Sequence, residues 1–212
     1  FHCTSIRITG TTEIRKRIRI IPIASRRMAL DHFSTVGAAL VKRQRLQLAY
    51  HARSTGETTG REVSPQRLVH YRDNWYLDAW CHLRNELRKF AVDAIADARL
   101  TEERAKAVDL REVAREFNSG YGIFGGTKVH WAKLRFAPSR ARWVAQERWH
   151  PDQRGRAEAD GSYVLEVPYT DSRELMMDIL KYGSEVEVLG PASLVATVAG
   201  EIRKMAAALP RA

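Results

Sequence analysis

The sequence has few cysteines and no long apolar run, and these absences exclude several classes of protein. Only Cys3 and Cys81 occur among its 212 residues, so the chain has neither a disulfide framework nor a paired-cysteine metal motif. No stretch of about 18 consecutive apolar residues occurs, so we expect no membrane-spanning helix. Cys81 lies in an apolar, strand-like run, which indicates a buried free thiol and favours a reducing, cytoplasmic environment.

Catalytic motifs are also missing, except for one glycine pattern in the wrong context. Gly120, Gly122 and Gly125 have the spacing of a dinucleotide-binding loop. A charged helical segment precedes them, whereas such a loop requires a strand. We therefore interpret this run as an interdomain hinge. The seven histidines show no metal-binding spacing and no nucleophile motif is found. We predict no enzymatic activity, no metal site and no cofactor.

Positive charge is concentrated near the N-terminal end. The formal net charge is +10, and residues 1–60 carry 11 Lys and Arg against 3 Asp and Glu. Arg15, Arg17 and Arg19 occupy alternate positions, about 7 Å apart on one face of a strand. This spacing is close to that of phosphates along a nucleic-acid strand, so the three arginines are candidate nucleic-acid contacts. A charged row also protects an edge strand from aggregation, and both interpretations stay open.

The pattern of apolar residues predicts an α+β fold with two folded units. Short strands with polar turns over residues 40–100 are typical of a small β-barrel. Residues 128–212 follow the order βαββαβα, which favours a ferredoxin-like α/β sandwich. Within them, Asp171 and Glu174 have the spacing of a capping box at the start of a helix. Residues 1–39 are predicted to form an N-terminal connector, with Asp31 capping a short helix. Residues 101–127 are predicted to form a helical linker with the glycine-rich hinge.

The strand predicted over residues 75–82 has two different faces. One face is apolar and is expected in the core, with side chains from Trp75, Leu77, Ala79 and Cys81. The other face mixes aromatic and polar groups, from Tyr76, Asp78, Trp80 and His82. That second face is too polar to be ordinary core, so we expect it to be accessible.

This strand and its surroundings resemble the WYL domain. The matching features are the Trp-Tyr-Leu tripeptide at residues 75–77, the upstream strands at 45–50 and 61–65, and the spacing of Arg84, Arg88 and Phe90. Residues 128–209 resemble the extension that often follows WYL domains. That match is carried by Leu134-Arg135-Phe136, Pro168-Tyr169 and the turn and strand at 183–188. Together the two resemblances cover residues 40–209.

The resemblance implies an SH3- or Sm-like barrel for residues 40–100. It also implies a sensor domain of a bacterial transcription regulator, with a DNA-binding domain upstream of Phe1 and a ligand such as a short single-stranded nucleic acid. Residues 1–39 would then be either a connector or the remnant of that upstream domain. Regulators that read palindromic operators have two-fold symmetry, so we expect a homodimer. The amphipathic last helix and Trp131, Trp143 and Trp149 would supply its apolar surface.

A site for a single-stranded nucleic acid or another phosphorylated ligand is expected on the barrel. Aromatic rings stack on bases, and guanidinium groups bind phosphates. The candidate residues are Tyr50, Tyr76, Trp80, His82, Arg84 and Arg88. Each group has a structural alternative: Trp80 packs against the C-terminal unit, the arginines pair with Asp78 or Glu86, and Tyr50 belongs to the core.

Two observations leave the function open. WYL domains often carry a further arginine at the position that Ala94 occupies here, so the identity of the ligand stays open. An inert dimerisation scaffold, or an accessory nucleic-acid-binding domain of a larger enzyme, would fit the same pattern. The scaffold alternative predicts that oligonucleotides do not change the melting temperature.

Overall fold

Two antiparallel sheets with their helices organise the chain. The computed structural model describes residues 31–53, 55–126 and 128–210. The first unit contains α1 (Phe33–Lys42), β1 (Gln44–Ala52), β2 (Glu57–Tyr71), β3 (Asn74–Cys81), β4 (Glu86–Ala91) and β5 (Ile95–Arg104). Helix α2 (Leu110–Phe117) follows. The second unit contains β6 (His130–Phe136), α3 (Pro138–Val144), β7 (Arg154–Ala157), β8 (Tyr163–Tyr169), α4 (Ser172–Lys181), β9 (Val186–Gly190) and α5 (Ala192–Ala207).

The first sheet has the strand order β4-β3-β2-β1-β5, with every neighbouring pair antiparallel. Leu46 and Leu48 are buried and flank the exposed Gln47, which is the alternation that a one-sided strand requires. Arg72 and Asn85 have positive φ angles of 52° and 54° in the two tight turns around β3. No pairing between β4 and β5 closes the sheet within the described ranges, so the SH3- or Sm-like barrel stays a prediction.

Helix α1 covers the core of the first sheet. Val36 and Ala39 are fully buried and pack with the buried side chains of the strands. The predicted boundary between residues 39 and 40 falls inside this helix, because its apolar face belongs to the same core. His32 precedes the helix and makes no side-chain cap, so the prediction that Asp31 caps it is wrong.

The second sheet has the strand order β7-β8-β6-β9, and the predicted succession βαββαβα is confirmed. Alternate residues of β6, namely Ala132, Leu134 and Phe136, are fully buried. They pack with Leu175 of α4 and Leu194 of α5 in one apolar cluster. The ferredoxin-like assignment stays a prediction.

The linker is less helical than the sequence predicts. Residues 101–104 continue β5, since Arg104 pairs with Gln44 of β1. A helix forms only from Leu110, where the side chain of Asp109 accepts a 2.7 Å hydrogen bond from the backbone amide of Arg111. Cross-strand pairing with β1 therefore overrides the helical tendency of the first four residues.

The N-terminus of α4 is capped by Asp171, as predicted. Its carboxylate accepts a 2.9 Å hydrogen bond from the backbone amide of Arg173. The capping-box role predicted for Glu174 is not observed. Its carboxylate instead accepts a hydrogen bond from the backbone amide of Ile123 in the linker, so this residue joins the linker to the second unit.

Candidate ligand-binding site

A cavity of about 520 Å³ lies where the first sheet, the linker and the start of α4 meet. Its aromatic lining residues are Tyr50, Tyr76, Phe90, Phe117 and Phe124. Its basic lining residues are Arg53, Arg61, Arg84, Arg88, Lys89 and Arg173. No Asp or Glu is among the described residues that line it. Rings and cations without a facing carboxylate favour an anionic ligand with a flat, stackable group.

The aromatic wall is held by contacts between strands that are not neighbours in the sheet. The rings of Tyr50 in β1 and Phe90 in β4 meet edge to face with centroids 5.1 Å apart. The hydroxyl of Tyr50 accepts a 3.3 Å hydrogen bond from the backbone amide of Ala91. These contacts fix Tyr50 in a defined orientation at the cavity.

The basic residues of the cavity differ in how far their charge is already neutralised. Arg53 pairs with Asp93 at 2.7 Å, Arg88 with Glu86 at 2.7 Å, and Arg173 with Asp171 at 2.7 Å. Within the described part of the chain, Arg61 and Arg84 have no carboxylate partner. The guanidinium of Arg61 donates a 2.8 Å hydrogen bond to the carbonyl of Gly60, so both residues keep donors that can bind an anion.

Lys89 forms a partly buried basic wall of the cavity. Its ammonium group donates a 2.9 Å hydrogen bond to the carbonyl of Ile123 and lies 3.6 Å from a carboxylate oxygen of Asp78. Burial lowers the pKa of Lys89, although the charge of Asp78 opposes that effect. Lys89 thus ties β4 to the linker.

Asp78 is fully buried beneath this wall, where the sequence predicts an accessible face. Its carboxylate accepts a 2.6 Å hydrogen bond from the guanidinium of Arg67, which in turn contacts Asn118. The prediction of accessibility is wrong because a buried carboxylate becomes tolerable when two cations surround it. Leu77, Ala79 and Cys81 are fully buried, as predicted for the opposite face, and Cys81 is a free thiol.

The structure separates the six predicted site residues into two groups. Tyr50, Tyr76, Arg84 and Arg88 line the cavity, whereas Trp80 and His82 are not among its lining residues. Arg88 lies opposite Ala79 in the β3–β4 register. It therefore projects from the face that Trp80 does not share. Arg15, Arg17 and Arg19 lie outside the described residues.

Trp80 and His82 are engaged by the linker and by β2. The ammonium group of Lys106 lies 3.1 Å from the centroid of the Trp80 ring. The Ser64 hydroxyl oxygen accepts a hydrogen bond from the amide of Lys106 at 2.8 Å and lies 2.9 Å from Nε2 of His82. Burial, followed by the nearby charge of Arg45, lowers the pKa of His82. A neutral His82 is thus positioned to accept a hydrogen bond from Ser64.

The glycine-rich run packs closely against the second unit. Gly122 has φ +86°, and a Cβ atom there would lie 1.9 Å from a carboxylate oxygen of Glu174. A Cβ at Gly125 would lie 2.2 Å from the carbonyl oxygen of Glu116. Close packing therefore explains why glycine occupies these positions. The dinucleotide-loop spacing of the run needs no bound nucleotide to account for it.

A second contact between the units involves Asp178 of α4. Its carboxylate accepts hydrogen bonds from the guanidinium of Arg72 at 2.6 Å and from the hydroxyl of Tyr121 at 2.7 Å. Burial, together with this hydrogen bond, raises the pKa of Tyr121. The β2–β3 turn, the linker and α4 are therefore joined at one carboxylate.

Several cavity residues were not identified from the sequence. Phe117, Phe124 and Arg173 are distant from the WYL motif, so no local pattern places them near it. Lys89 and Phe90 lie inside the motif itself, directly after Arg88, and this proximity in sequence was a usable signal for both.

Two features are absent from the described residues. In residues 31–53, 55–126 and 128–210, no group of three or more His, Cys, Asp or Glu side chains is placed to hold a metal ion. In the same ranges, no helix has the length and apolarity needed to cross a membrane.

Comparison with known families identifies the class of the chain. The WYL domain family matches residues 31–100, and the WCX domain family matches residues 128–206. The chain therefore contains a WYL domain followed by a WCX domain. The resemblance to WYL domains and to their C-terminal extension is confirmed.

Individual relatives agree with this assignment. Protein PafC of Mycobacterium tuberculosis is 32% identical over 166 residues, which is 78% of this chain and 51% of PafC. CapW of Escherichia coli, a DNA-binding transcriptional repressor, is 31% identical over 84 residues, 40% of this chain and 28% of CapW. The chain thus spans about half the length of PafC.

A solved structure has a similar fold. A CRISPR Cas-related protein aligns with a TM-score of 0.50 and 12% identity over 84% of this chain and 52% of that protein. At this identity the similarity concerns the fold alone. It supports a mixed arrangement of helices and antiparallel sheets.

Proposed function

We propose that this chain is the ligand-sensing and dimerisation part of a cytoplasmic bacterial transcriptional regulator. The WYL cavity binds a short single-stranded nucleic acid or another phosphorylated effector, and the chain performs no catalysis. CapW is a DNA-binding transcriptional repressor, which supports a regulatory role. Because the chain spans half of PafC, binding of operator DNA is proposed for the whole protein through a domain upstream of these residues.

One cavity combines aromatic rings with guanidinium groups that lack a carboxylate partner, and this combination carries the proposal. Arg61 and Arg84 have no carboxylate partner in the described ranges, and Tyr50 and Tyr76 lie beside them in the lining. Stacking of a base on an aromatic ring contributes about 1–3 kcal/mol. A guanidinium group binds a phosphate through two parallel hydrogen bonds, which a lysine does not reproduce.

The size of the cavity favours a single strand or a small effector. Its volume of about 520 Å³ lies within the range of about 300–1,000 Å³ that is usual for small-molecule sites. A duplex keeps its bases stacked inside the helix, whereas a single strand can insert unpaired bases among the rings. We therefore propose that the occupant presents an unpaired base together with its phosphate.

Fluorescence anisotropy with labelled oligothymidylate of about eight nucleotides tests this function. Arg84→Ala should weaken binding and reduce the dependence on salt by about one counterion. Arg99→Ala removes an exposed arginine that already pairs with Asp97, and it should leave both properties unchanged. Competition with a mononucleotide and with inorganic phosphate distinguishes base recognition from phosphate recognition. Equal affinity of the wild type and an Arg61→Ala, Arg84→Ala double variant would contradict the proposal.

Trp80 and His82 stay predicted ligand contacts, although they do not line the cavity. They would take part if the ligand extends beyond the cavity to the face that Lys106 covers. Trp80→Ala would then weaken binding without altering the salt dependence, because stacking releases no counterion. An unchanged affinity would confine the ligand to the cavity.

We also propose that the chain forms a homodimer. Ile202, Met205 and Leu209 follow one another along the end of the chain and are 51%, 53% and 70% exposed. Trp143 is 62% exposed and adds apolar surface. Trp149 is half-buried and stacks on Tyr182 with centroids 5.9 Å apart, so it contributes less surface than the sequence predicts. Sedimentation showing only monomer at tens of micromolar would contradict the dimer.

The strand orders support finer assignments for the two units. We propose an SH3- or Sm-like topology for the first, since its sheet consists of five antiparallel strands with register shifts between β1 and β5 and between β2 and β3. We propose a ferredoxin-like topology for the second, from its strand order and its βαββαβα succession. We also propose the predicted division into two units and a linker, with α1 and residues 101–104 assigned to the first unit.

A further inference from the structure

We propose that Arg173 of the WCX domain binds a phosphate of the ligand held in the WYL cavity, so that an occupied cavity fastens the two domains together. The inference rests on the function proposed above. It adds a binding residue that belongs to the other domain and a route by which binding reaches that domain.

The position of Arg173 is the first argument. Among the described residues that line the cavity, Arg173 alone comes from the WCX domain. It lies in the first turn of α4, and its guanidinium carbon is 4.0 Å from the ring centroid of Phe124, which also lines the cavity. A cation held over a ring at the cavity wall is placed to meet a phosphate beside a stacked base.

The second argument is that Arg173 can exchange its partner. Its side chain is 64% exposed and pairs with Asp171, and such an exposed ion pair contributes little stability. Asp171 also accepts a hydrogen bond from the backbone amide of Arg173, so the helix cap survives when the guanidinium moves. A phosphate offers the same two-oxygen geometry as the carboxylate, with more negative charge.

The third argument concerns the neighbouring residue on the same helical turn. Glu174 is buried and accepts the hydrogen bond from the amide of Ile123. Ile123 and Phe124 both line the cavity. One turn of α4 therefore forms part of the cavity wall through Arg173 and holds the linker through Glu174. A ligand that bridges Arg84 and Arg173 would restrain the contact between the linker and α4, which we call the joint. By thermodynamic linkage, a more rigid joint would in turn increase the affinity for the ligand.

Binding of labelled oligothymidylate of about eight nucleotides to the 212-residue chain tests the role of Arg173. Arg173→Ala should weaken binding about tenfold and reduce the salt dependence by about one counterion. Arg156→Ala is the matched control. Arg156 lies in the same domain, also pairs with a carboxylate two residues away, Glu158, and lies outside the cavity. The Arg156→Ala variant should bind the oligothymidylate with the affinity of the wild type.

Hydrogen exchange separates a bridging role from a local one. Saturating oligothymidylate should slow amide exchange over residues 121–125 in the wild type and in Arg156→Ala. In Arg173→Ala the same occupancy should give little protection there. If Arg84→Ala weakens binding while Arg173→Ala binds and protects as the wild type does, the inference is wrong and the proposed function stands. If neither variant changes binding, the proposed function is wrong as well.

Discussion

A single methyl group added at Gly122 should disrupt the joint between the linker and α4 of the WCX domain. Its φ of +86° is a conformation that side chains rarely adopt, and a Cβ would lie 1.9 Å from an oxygen of Glu174. In Gly122→Ala, either the linker leaves its conformation or Glu174 withdraws. Both outcomes break the hydrogen bond that Glu174 accepts from Ile123.

The size of the effect follows from these two contributions. A non-glycine residue in the left-handed region costs about 1–2 kcal/mol. Loss of a hydrogen bond to a charged, buried carboxylate costs about 1.5–3 kcal/mol. Gly122→Ala should therefore lower the free energy of unfolding by about 3–4 kcal/mol, since part of the strain is relieved when the hydrogen bond breaks.

Urea denaturation followed by tryptophan fluorescence measures this change, with Gly37→Ala as the control. Gly37 lies inside α1, and a Cβ there would meet no atom within 4 Å. Alanine at that helical position should stabilise the protein by about 0.5–1 kcal/mol. A Gly122→Ala variant within about 0.5 kcal/mol of the wild type would refute the reasoning about the joint.

Three further predictions concern other parts of the structure. Asp78→Asn leaves the cations of Arg67 and Lys89 without their buried carboxylate and should cost about 3 kcal/mol in urea denaturation; Asp97→Asn, at an exposed pair, should cost under about 0.5 kcal/mol. The lowered pKa of His82 means that the unfolded chain takes up a proton first as the pH falls below 6.5. Stability should therefore decrease with acid through that range, and less so in His82→Gln; an identical pH profile for the two proteins would contradict this. Ile202→Asp should convert the dimer to monomer in sedimentation while leaving the melting temperature of the monomer nearly unchanged, because that side chain is half exposed.

The sequence predicts those parts of the fold that depend on local patterns. Alternation placed Leu77, Ala79 and Cys81 in the core, and all three are buried. The Asp171 cap and the order of elements in the second unit follow from capping and periodicity. The WYL motif predicted Tyr76, Arg84 and Arg88 as ligand contacts; all three line one cavity, and their binding role stays a prediction.

The remaining features depend on contacts between distant segments. Alternation alone assigned Asp78 to an accessible face, because the cation that neutralises it, Arg67, belongs to another strand. Trp80 is covered by Lys106, which the sequence places in a separate linker. Glu174 matched a local capping pattern, but a linker amide 51 residues away takes its carboxylate. Arg173 reaches the cavity from the second domain, which no local pattern indicates.

Photocrosslinking most directly tests the claim that the cavity between the WYL and WCX domains holds a single strand. Oligothymidylate of about eight nucleotides, carrying 4-thiothymidine, is irradiated with the protein, and the crosslinked peptides are identified by mass spectrometry. We predict crosslinks at the cavity rings, above all Tyr50, Tyr76 and Phe124, and their loss in the Arg61→Ala, Arg84→Ala double variant. Crosslinks confined to the peptides around Arg15, Arg17 and Arg19, or unaffected by the double variant, would contradict the account.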